Sequence, residues 1–394
     1  MNRKIISTIS LVSALIMRAS GQVSIDTVIS QIAKNNKTIL ANTQYWEAQK
    51  LNYKTGLTPP NPIVEYDYLS GSPANAGNQT EWSVVQSFDF PTAYIKKNQL
   101  SKQQTALADL QVIATRQDIL LEAKKICIEL VYRNKLNSHL TQRKQSTDKL
   151  LSDFKTRLDR GDGSILDVNK VQIQLIEIKK EYHGNISVIN QLNDQLNSLN
   201  GGITVSFADT IYFLFPEIPP FEQLEQEFEK ADPARKILEQ EKIVSEKQVA
   251  VSRSLTLPKI EAGYHYQSIL GQKYSGIHTG ISIPLWENKN LVKFQKSKLL
   301  FADLEIQDHR NEHYYGIKRI YEKYRNLKIT LEEYRSVFLT LNNSYLLNKA
   351  LSLGEISTIE YFMEMNYYSS AFNNFLEAEK EYYEIIAELY KFTL

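Results

Sequence analysis

A single cysteine, Cys127, excludes an internal disulfide. It sits in the apolar tract KKICIELVY, where a buried structural thiol is expected rather than a reactive one. Charge of one sign is also lacking: 46 Lys and Arg stand against 45 Asp and Glu. Nucleic-acid binders usually carry a basic excess, so no nucleic-acid partner is expected. Glycine (15) and proline (11) are scarce, and residues 92–215 and 285–394 contain no proline at all. Proline breaks helix interiors, so its absence leaves room for two very long helices. Long hydrophobic runs are missing too, apart from IISTISLVSALIM near the start. That run follows Arg3 and Lys4 and precedes the small residues Ala19-Ser20-Gly21, so residues 1–21 read as a signal peptide. No later run is apolar enough to span a bilayer as a helix.

What is present is present twice. RGDGSILDVNK (160–170) returns as LGEISTIEYFM (353–363), with Gly161 and Gly354 separated by 193 residues. Each Gly is followed three residues on by Ser164 or Ser357, and three further by Asp167 or Glu360. LTPPNPIVEYDY (57–68) matches LTLPKIEAGYHY (255–266), and FDFPTAYIKK (88–97) corresponds to LWENKNLVKF (285–294), at offsets of 198 and 197. The chain is therefore read as a duplicated half. Residues 22–200 form the first repeat, 201–221 a connecting, equatorial segment, and 222–394 the second repeat.

The helical tracts carry apolar residues spaced alternately by three and four. Val171, Leu175, Ile178, Tyr182, Asn185, Ile189, Leu192, Leu196 and Leu199 form one such seam. A second runs from Ile317 to Tyr345, and a third from Tyr361 to Leu389 with Glu379 as its polar intruder. This is coiled-coil spacing, which keeps one seam against a partner helix. A helix from about Pro91 to Arg160 would be about 105 Å long. Its return, from Ser164 to about Asn200, covers about half of that. The tract 26–54, stacked end to end with the return helix, supplies the rest. The second half repeats the arrangement with a long tract at 286–353 and short ones at 222–254 and 357–392. The shape expected is a rod.

Four strands alternate. Val64, Tyr66 and Tyr68 oppose Glu65 and Asp67; Trp82, Val84 and Phe88 oppose Glu81, Ser83 and Ser87. Ile260, Ala262, Tyr264 and Tyr266 oppose Glu261, Gly263, His265 and Gln267, and Ile277 to Leu285 oppose His278, Gly280 and Ser282. Period two with one apolar face fits a half-buried strand. It fits a sheet packed on a helix, and it fits a transmembrane barrel with lipid outside and water inside. Four strands cannot close a barrel, and open edges are not tolerated in lipid, so the second reading needs several chains.

In order and spacing these features resemble the TolC-type outer-membrane efflux channel family over nearly the whole of residues 22–394. The carriers are the duplication, the strand entries PPNPIVEYDY and LPKIEAGYHY, the strand exits QSFDF and ISIPLW, and the two G-x-x-S-x-x-[DE] turns. The resemblance implies a mainly α chain with a transmembrane β-barrel. Four strands per chain would join in a homotrimer, closing a twelve-stranded barrel in outer-membrane lipid, and helices would continue as a long coiled-coil α-barrel through the periplasm. It implies a passive exit duct with no enzyme activity and no cofactor, partnered by a periplasmic adaptor protein and an inner-membrane pump of RND type. It places Gly161, Ser164, Gly354 and Ser357 at adaptor-docking tips and Asp167 and Glu360 at a periplasmic gate. The family often has an aromatic three residues before the tip glycine, where Leu158 and Leu351 stand here, and Ile356 replaces a basic residue that helps lock some members shut.

Read without the family, the same turns have a local explanation. Gly161 and Gly354 suit a helix C-terminus in the left-handed region. Ser164 and Ser357 suit the next N-cap, with Asp167 and Glu360 completing capping boxes. HRNEH (309–313) matches an H-x-x-E-H zinc-peptidase pattern. It lies on a coiled-coil helix with no evident cavity, so neither catalysis nor a metal site is expected. The rival to a channel is a periplasmic coiled-coil adaptor or structural protein without a pore.

Overall fold

The computed structural model describes residues 24–213, 215, 217–338, 340 and 343–394. The signal-peptide expectation for residues 1–21 lies outside the described residues. The first half runs α1 (Ile25–Asn35), α2 (Lys37–Asn52), β1 (Ile63–Leu69), β2 (Gln79–Phe88), α3 (Pro91–Asp159) and α4 (Ile165–Leu199). The second runs α5 (Phe221–Ala231), α6 (Pro233–Ser254), β3 (Lys259–Ile269), β4 (Gln272–Ser282), α7 (Leu291–Phe338), α8 (Asn343–Leu353) and α9 (Thr358–Leu389). With 69 residues, α3 is about 100 Å long. No described helix is long and apolar enough to cross a membrane.

Two tracts expected to be single helices are broken, at positions 196 residues apart. Asn36 ends α1 and caps α2: its Oδ1 accepts from Ile39 N at 2.9 Å, and its Nδ2 donates to the Leu199 carbonyl at 2.8 Å. Asp232 ends α5 and caps α6, accepting from Ala234 N (3.1 Å) and Arg235 N (3.2 Å). Pro233 follows at the first helical position, where its missing N–H costs nothing. The third long tract also divides, into α7 and α8.

The sheet is antiparallel in the order β1-β2-β3-β4. The central pair β2–β3 joins the two halves in register, with Trp82 opposite Tyr266 and Val84 opposite Tyr264. β3 turns into β4 through Leu270 and Gly271, both at positive φ (49° and 83°), as a two-residue type I′ turn requires. β4 stops at Ser282 rather than running on to Leu285, because Pro284 has no N–H to add to the ladder. The helices continue the strand order: α2 packs on α3, α3 on α6, and α6 on α7. At the far end, α4 packs on α3, α3 on α9, and α9 on α7 and α8.

The largest core lies midway along α3. Leu120, Ala123, Cys127, Ile128, Leu130 and Val131 meet Val28 and Ile32 of α1, Leu196 of α4, and Val205, Phe207 and Tyr212 of the connector. Cys127 is fully buried, and burial pushes its thiol up to about 12, which makes it inert. The connector wraps this waist. Tyr212 stacks on Tyr383 of α9 with ring centroids 4.2 Å apart, and the Lys124 ammonium sits 4.6 Å from the centre of the Phe213 ring.

Candidate functional site

The two G-x-x-S turns are hairpin tips, one between α3 and α4, the other between α8 and α9. Gly161 (φ 85°) and Gly354 (φ 75°) take the left-handed conformation expected of them. Both form Schellman closures. Gly161 N and Asp162 N donate to Leu158 O and Arg157 O, each at 3.0 Å; Gly354 N and Glu355 N donate to Leu351 O (3.2 Å) and Ala350 O (3.0 Å). The starts of the return helices differ. Ser357 and Glu360 make the full capping box: Glu360 N donates to Ser357 Oγ at 3.2 Å, and Ser357 N donates to Glu360 Oε2 at 2.7 Å. The Ser357 backbone N–H and, after it, the Ser357 hydroxyl hold the Glu360 carboxyl below its usual range. At the first tip no such box forms, against expectation. Ser164 Oγ accepts from Leu166 N at 3.2 Å, and Asp167 turns instead to Lys170 Nζ, also 3.2 Å away. The position equivalent to Lys170 in the second copy is Met363, which offers no cation to compete for Glu360.

The tips lie side by side. Phe154, Val168 and Val171 form a small core, with Leu158, Leu351 and Phe362 packed against it. The leucines that stand where the family often has aromatics are therefore part of the contact between the hairpins. Higher up the same seam is a polar knot that heptad spacing did not reveal. Buried Arg143 donates from Nη1 to Glu181 Oε2 of α4 (3.1 Å) and from Nη2 to Asn366 Oδ1 of α9 (3.2 Å). Gln174 Nε2 donates to the same Asn366 oxygen at 3.1 Å. Towards the waist the seam becomes an ionic ladder between the halves. Lys125 pairs with Glu388, Glu129 with Lys380 at 3.2 Å, and Lys135 with Glu379 at 2.6 Å. Glu379, the polar intruder in the seam, also has Arg335 at 3.5 Å. Removing it would leave two cations facing one another across the seam.

His139 of α3 lies between these features, its ring 4.7 Å from that of Phe372. Burial, assisted by Arg143, pushes its pKa down from 6.5 to about 4. Between those values the unfolded chain binds a proton that the folded site refuses. Stability is therefore expected to fall as pH drops from 7 towards 4, by roughly 3 kcal/mol at most. His139→Gln is expected to flatten that part of the profile in thermal unfolding measured at pH 7, 6 and 5. An unchanged slope would show that this ring is not the titrating group.

The other candidate surface is the sheet. Its register puts Val64, Tyr66, Trp82, Val84, Ile260, Tyr264, Ile277 and Ile281 on one face. Ile277 is 86 % exposed and Ile281 72 %, and none of the described residues packs over this face there. The opposite face carries Glu65, Asp67, Glu81, Glu261, His265 and His278. Among the described residues β1 and β4 each keep one unpaired edge. Glu312 of the HRNEH motif is exposed and borders Asn311, Tyr315 and Arg319. His309 and His313 instead face α5 and α6, so the three residues of the peptidase pattern are not brought together.

A chain with a two-sided four-stranded sheet continuing into a helical rod has the fold of an outer-membrane channel protomer. No family model matches the sequence, and no curated protein matches it significantly. Among solved structures it is similar to CusC, at a TM-score of 0.77 and 12 % identity over 93 % of this chain and 91 % of that one. It is similar to the outer-membrane protein VceC of Vibrio cholerae, at 0.73 and 11 % over 93 % and 94 %. It is also similar to the CmeC outer-membrane channel of Campylobacter jejuni, at 0.70 and 14 % over 100 % and 93 %. The likeness spans the strands and both helical hairpins, and it is one of fold.

Proposed function

We propose that the protein is the outer-membrane duct of a tripartite efflux system, assembled as a homotrimer. One observation carries the reading: an apolar sheet face left open beside two unpaired strand edges. In water such a face and such edges invite aggregation. In lipid, unpaired backbone groups are not tolerated, so the edges must meet other strands. The margins are built for that. One side of the protomer presents β1, α2 and α4, with Leu40, Tyr45, Ile173 and Ile176 exposed. The other presents β4 and α7, with Leu300, Phe301, Leu304 and Ile329 exposed. Joining one margin to the opposite margin of the next copy is a head-to-tail contact, which closes into a ring. Three copies give twelve strands, an even number within the bacterial range. Fold-level likeness to CmeC and VceC supports an outer-membrane setting.

The acidic face of the sheet then lines water, and the helices enclose a tunnel that ends at the tips. There Asp167 and Glu360 would sit at the periplasmic mouth. Gly161, Ser164, Gly354 and Ser357 would present the turns to a periplasmic adaptor, which links the duct to an RND-type inner-membrane pump. The test is extraction and conductance. The protein should need detergent, run as a trimer that heat dissociates, and conduct in planar bilayers, more so when Asp167 and Glu360 are neutralised. Recovery as a monomer in the soluble periplasmic fraction would overturn the reading in favour of an adaptor or structural role.

A further inference from the structure

The exposed apolar stripe of α7 ends in a hollow. Running from Leu300, Phe301 and Leu304 through Ile329, it opens into a cavity of about 420 Å3 between α7 and α9. Glu333, Tyr334, Val337 and Phe338 line one side, and Tyr367 and Tyr368 the other. Phe338 ties the two walls together, its ring centroid 5.7 Å from that of Tyr368 and 6.0 Å from that of Tyr334. Tyr367 is 78 % exposed and Val337 51 %, so the lip is as apolar and as uncovered as the stripe that leads to it. Open cavities of this size with aromatic walls are the usual form of a binding site, and continuous apolar surface left to water marks a contact. Glu333 stands exposed at the rim. Among the described residues no cation pairs with it, and Arg335 beside it goes to Glu379 at 3.5 Å.

We propose that α4 of the next copy fills this cavity, with Ile173 and Ile176 entering it and Lys180 meeting Glu333. The inference rests on the ring of copies proposed above and names the contact that sets its helical register. Height along the rod carries it. Gln174 Nε2 donates to Asn366 Oδ1 at 3.1 Å, so these two residues are level. Helices α4 and α9 both start at the tips and run towards the waist, so Ile176 and Tyr368, each two residues further on, are level too. A ring closed by rotation alone keeps equivalent residues at equal heights. Ile176 of every copy is therefore level with the cavity of its neighbour. The side is right, because α4 and α7 form opposite margins of the protomer. The surface is right as well. Ile173, Ile176 and Lys180 are spaced by three and four, which puts them on one face of α4, and all three are exposed. Lys180 lies one turn above Ile176, and its contact within the chain is Glu177 at 3.9 Å on the same exposed helix. Glu333 lies about one turn higher again, beside Tyr334, whose ring is 5.9 Å from that of Phe375; a lysine side chain spans the difference. An adaptor helix or a small apolar molecule would also find aromatic walls here. Neither explains why matching knobs sit at the height of the cavity on the opposite margin.

Cysteine cross-linking tests the contact, because Cys127 is fully buried and introduced thiols are the only ones that react. In outer membranes carrying the full Ile176→Cys/Tyr367→Cys chain, a short bismaleimide is expected to convert most of the protein into covalent trimer on denaturing gels. Lys180→Cys/Val337→Cys is expected to do the same one turn higher, and it covers the case in which the first pair disturbs packing. Each single variant should stay monomeric on those gels. So should Ile176→Cys/Leu300→Cys, whose second thiol lies on the same stripe of α7 about 50 Å nearer the sheet. Tyr367→Cys alone should resist a bulky soluble maleimide in the unheated trimer and accept it after heating. A heat-dissociable trimer that neither pair cross-links, or whose Tyr367→Cys thiol labels as fast before heating as after, overturns this proposal and leaves the ring standing, with the cavity open to an adaptor helix or a small apolar molecule. An unsubstituted chain that is monomeric in the membrane overturns the ring and this contact together.

Discussion

Replacing Ile277 by Arg is expected to abolish recovery of the assembled protein from the membrane fraction, while His278→Arg beside it is tolerated. Ile277 is the middle residue of β4, whose 11 residues match the length of a tilted membrane-spanning strand. It pairs with Tyr264 on the apolar face and is 86 % exposed. On a surface bathed in water, such a substitution changes stability by about 0.5 kcal/mol or less. On the lipid face of a barrel near the midplane, an arginine costs about 2–4 kcal/mol. In the proposed ring of three, every subunit would repeat that cost. His278 is the next residue, with the same strand and the same edge distance but the opposite face. Comparing the two variants removes strand propensity from the question and leaves only what each face touches. Outer-membrane fractionation and heat-dissociable trimer on gels provide the readout. Equal behaviour of the two would mean that the apolar face does not meet lipid.

The sheet was the part most open to sequence reading, and the reason is physical. A strand has period two, so a face can be assigned from alternation alone, and every pairing in the structure joins residues of the same assigned face. Gly161 and Gly354 were legible for a similar reason, since few residues tolerate their conformation. The helix breaks at Asn36 and Asp232 were less so. Asp232-Pro233 is a helix-start signal, but it is embedded in a continuous amphipathic tract whose periodicity outweighs it. Asp167 shows how a local rule loses to a neighbour. Ser164 and Asp167 have the spacing of a capping box, and Lys170 one turn on takes the carboxylate. The contacts between halves were not legible at all. Arg143 meets Asn366, and Lys135 meets Glu379, across more than two hundred residues. Heptad spacing says that a seam exists and leaves its partner to the assembled fold. The same holds for His313, whose buried Nε2 lies 3.6 Å from Asp232 Oδ2 at a junction that reads as unbroken helix in the sequence.

That junction has a counterpart in the first half, and there the second large effect is expected. Gly201→Ala should lower the heat stability of the protein sharply, whereas Gly202→Ala should lower it only slightly. Both glycines have positive φ, 71° and 89°, so an alanine at either carries the left-handed penalty of about 1–2 kcal/mol. Their surroundings differ. A Cβ on Gly202 meets nothing within 4 Å, while one on Gly201 would stand 2.4 Å from the Asn35 carbonyl oxygen. That oxygen belongs to backbone and cannot swing aside. The α1–α2 junction would have to retreat from the end of α4, stretching the bonds that hold it. Asn36 Nδ2 donates to Leu199 O at 2.8 Å, and Asn35 Nδ2 donates to Asn200 Oδ1 at 3.0 Å. Each such bond is worth about 1 kcal/mol, so the expected total is about 3–4 kcal/mol for Gly201→Ala. The waist core beside the junction, with Val28 and Ile32 of α1 on Leu196 of α4, would loosen with it. Thermal unfolding of the two variants side by side measures the difference. If they melt together, the close approach of α4's end to Asn35 is not what holds the waist, and the left-handed backbone alone accounts for both glycines.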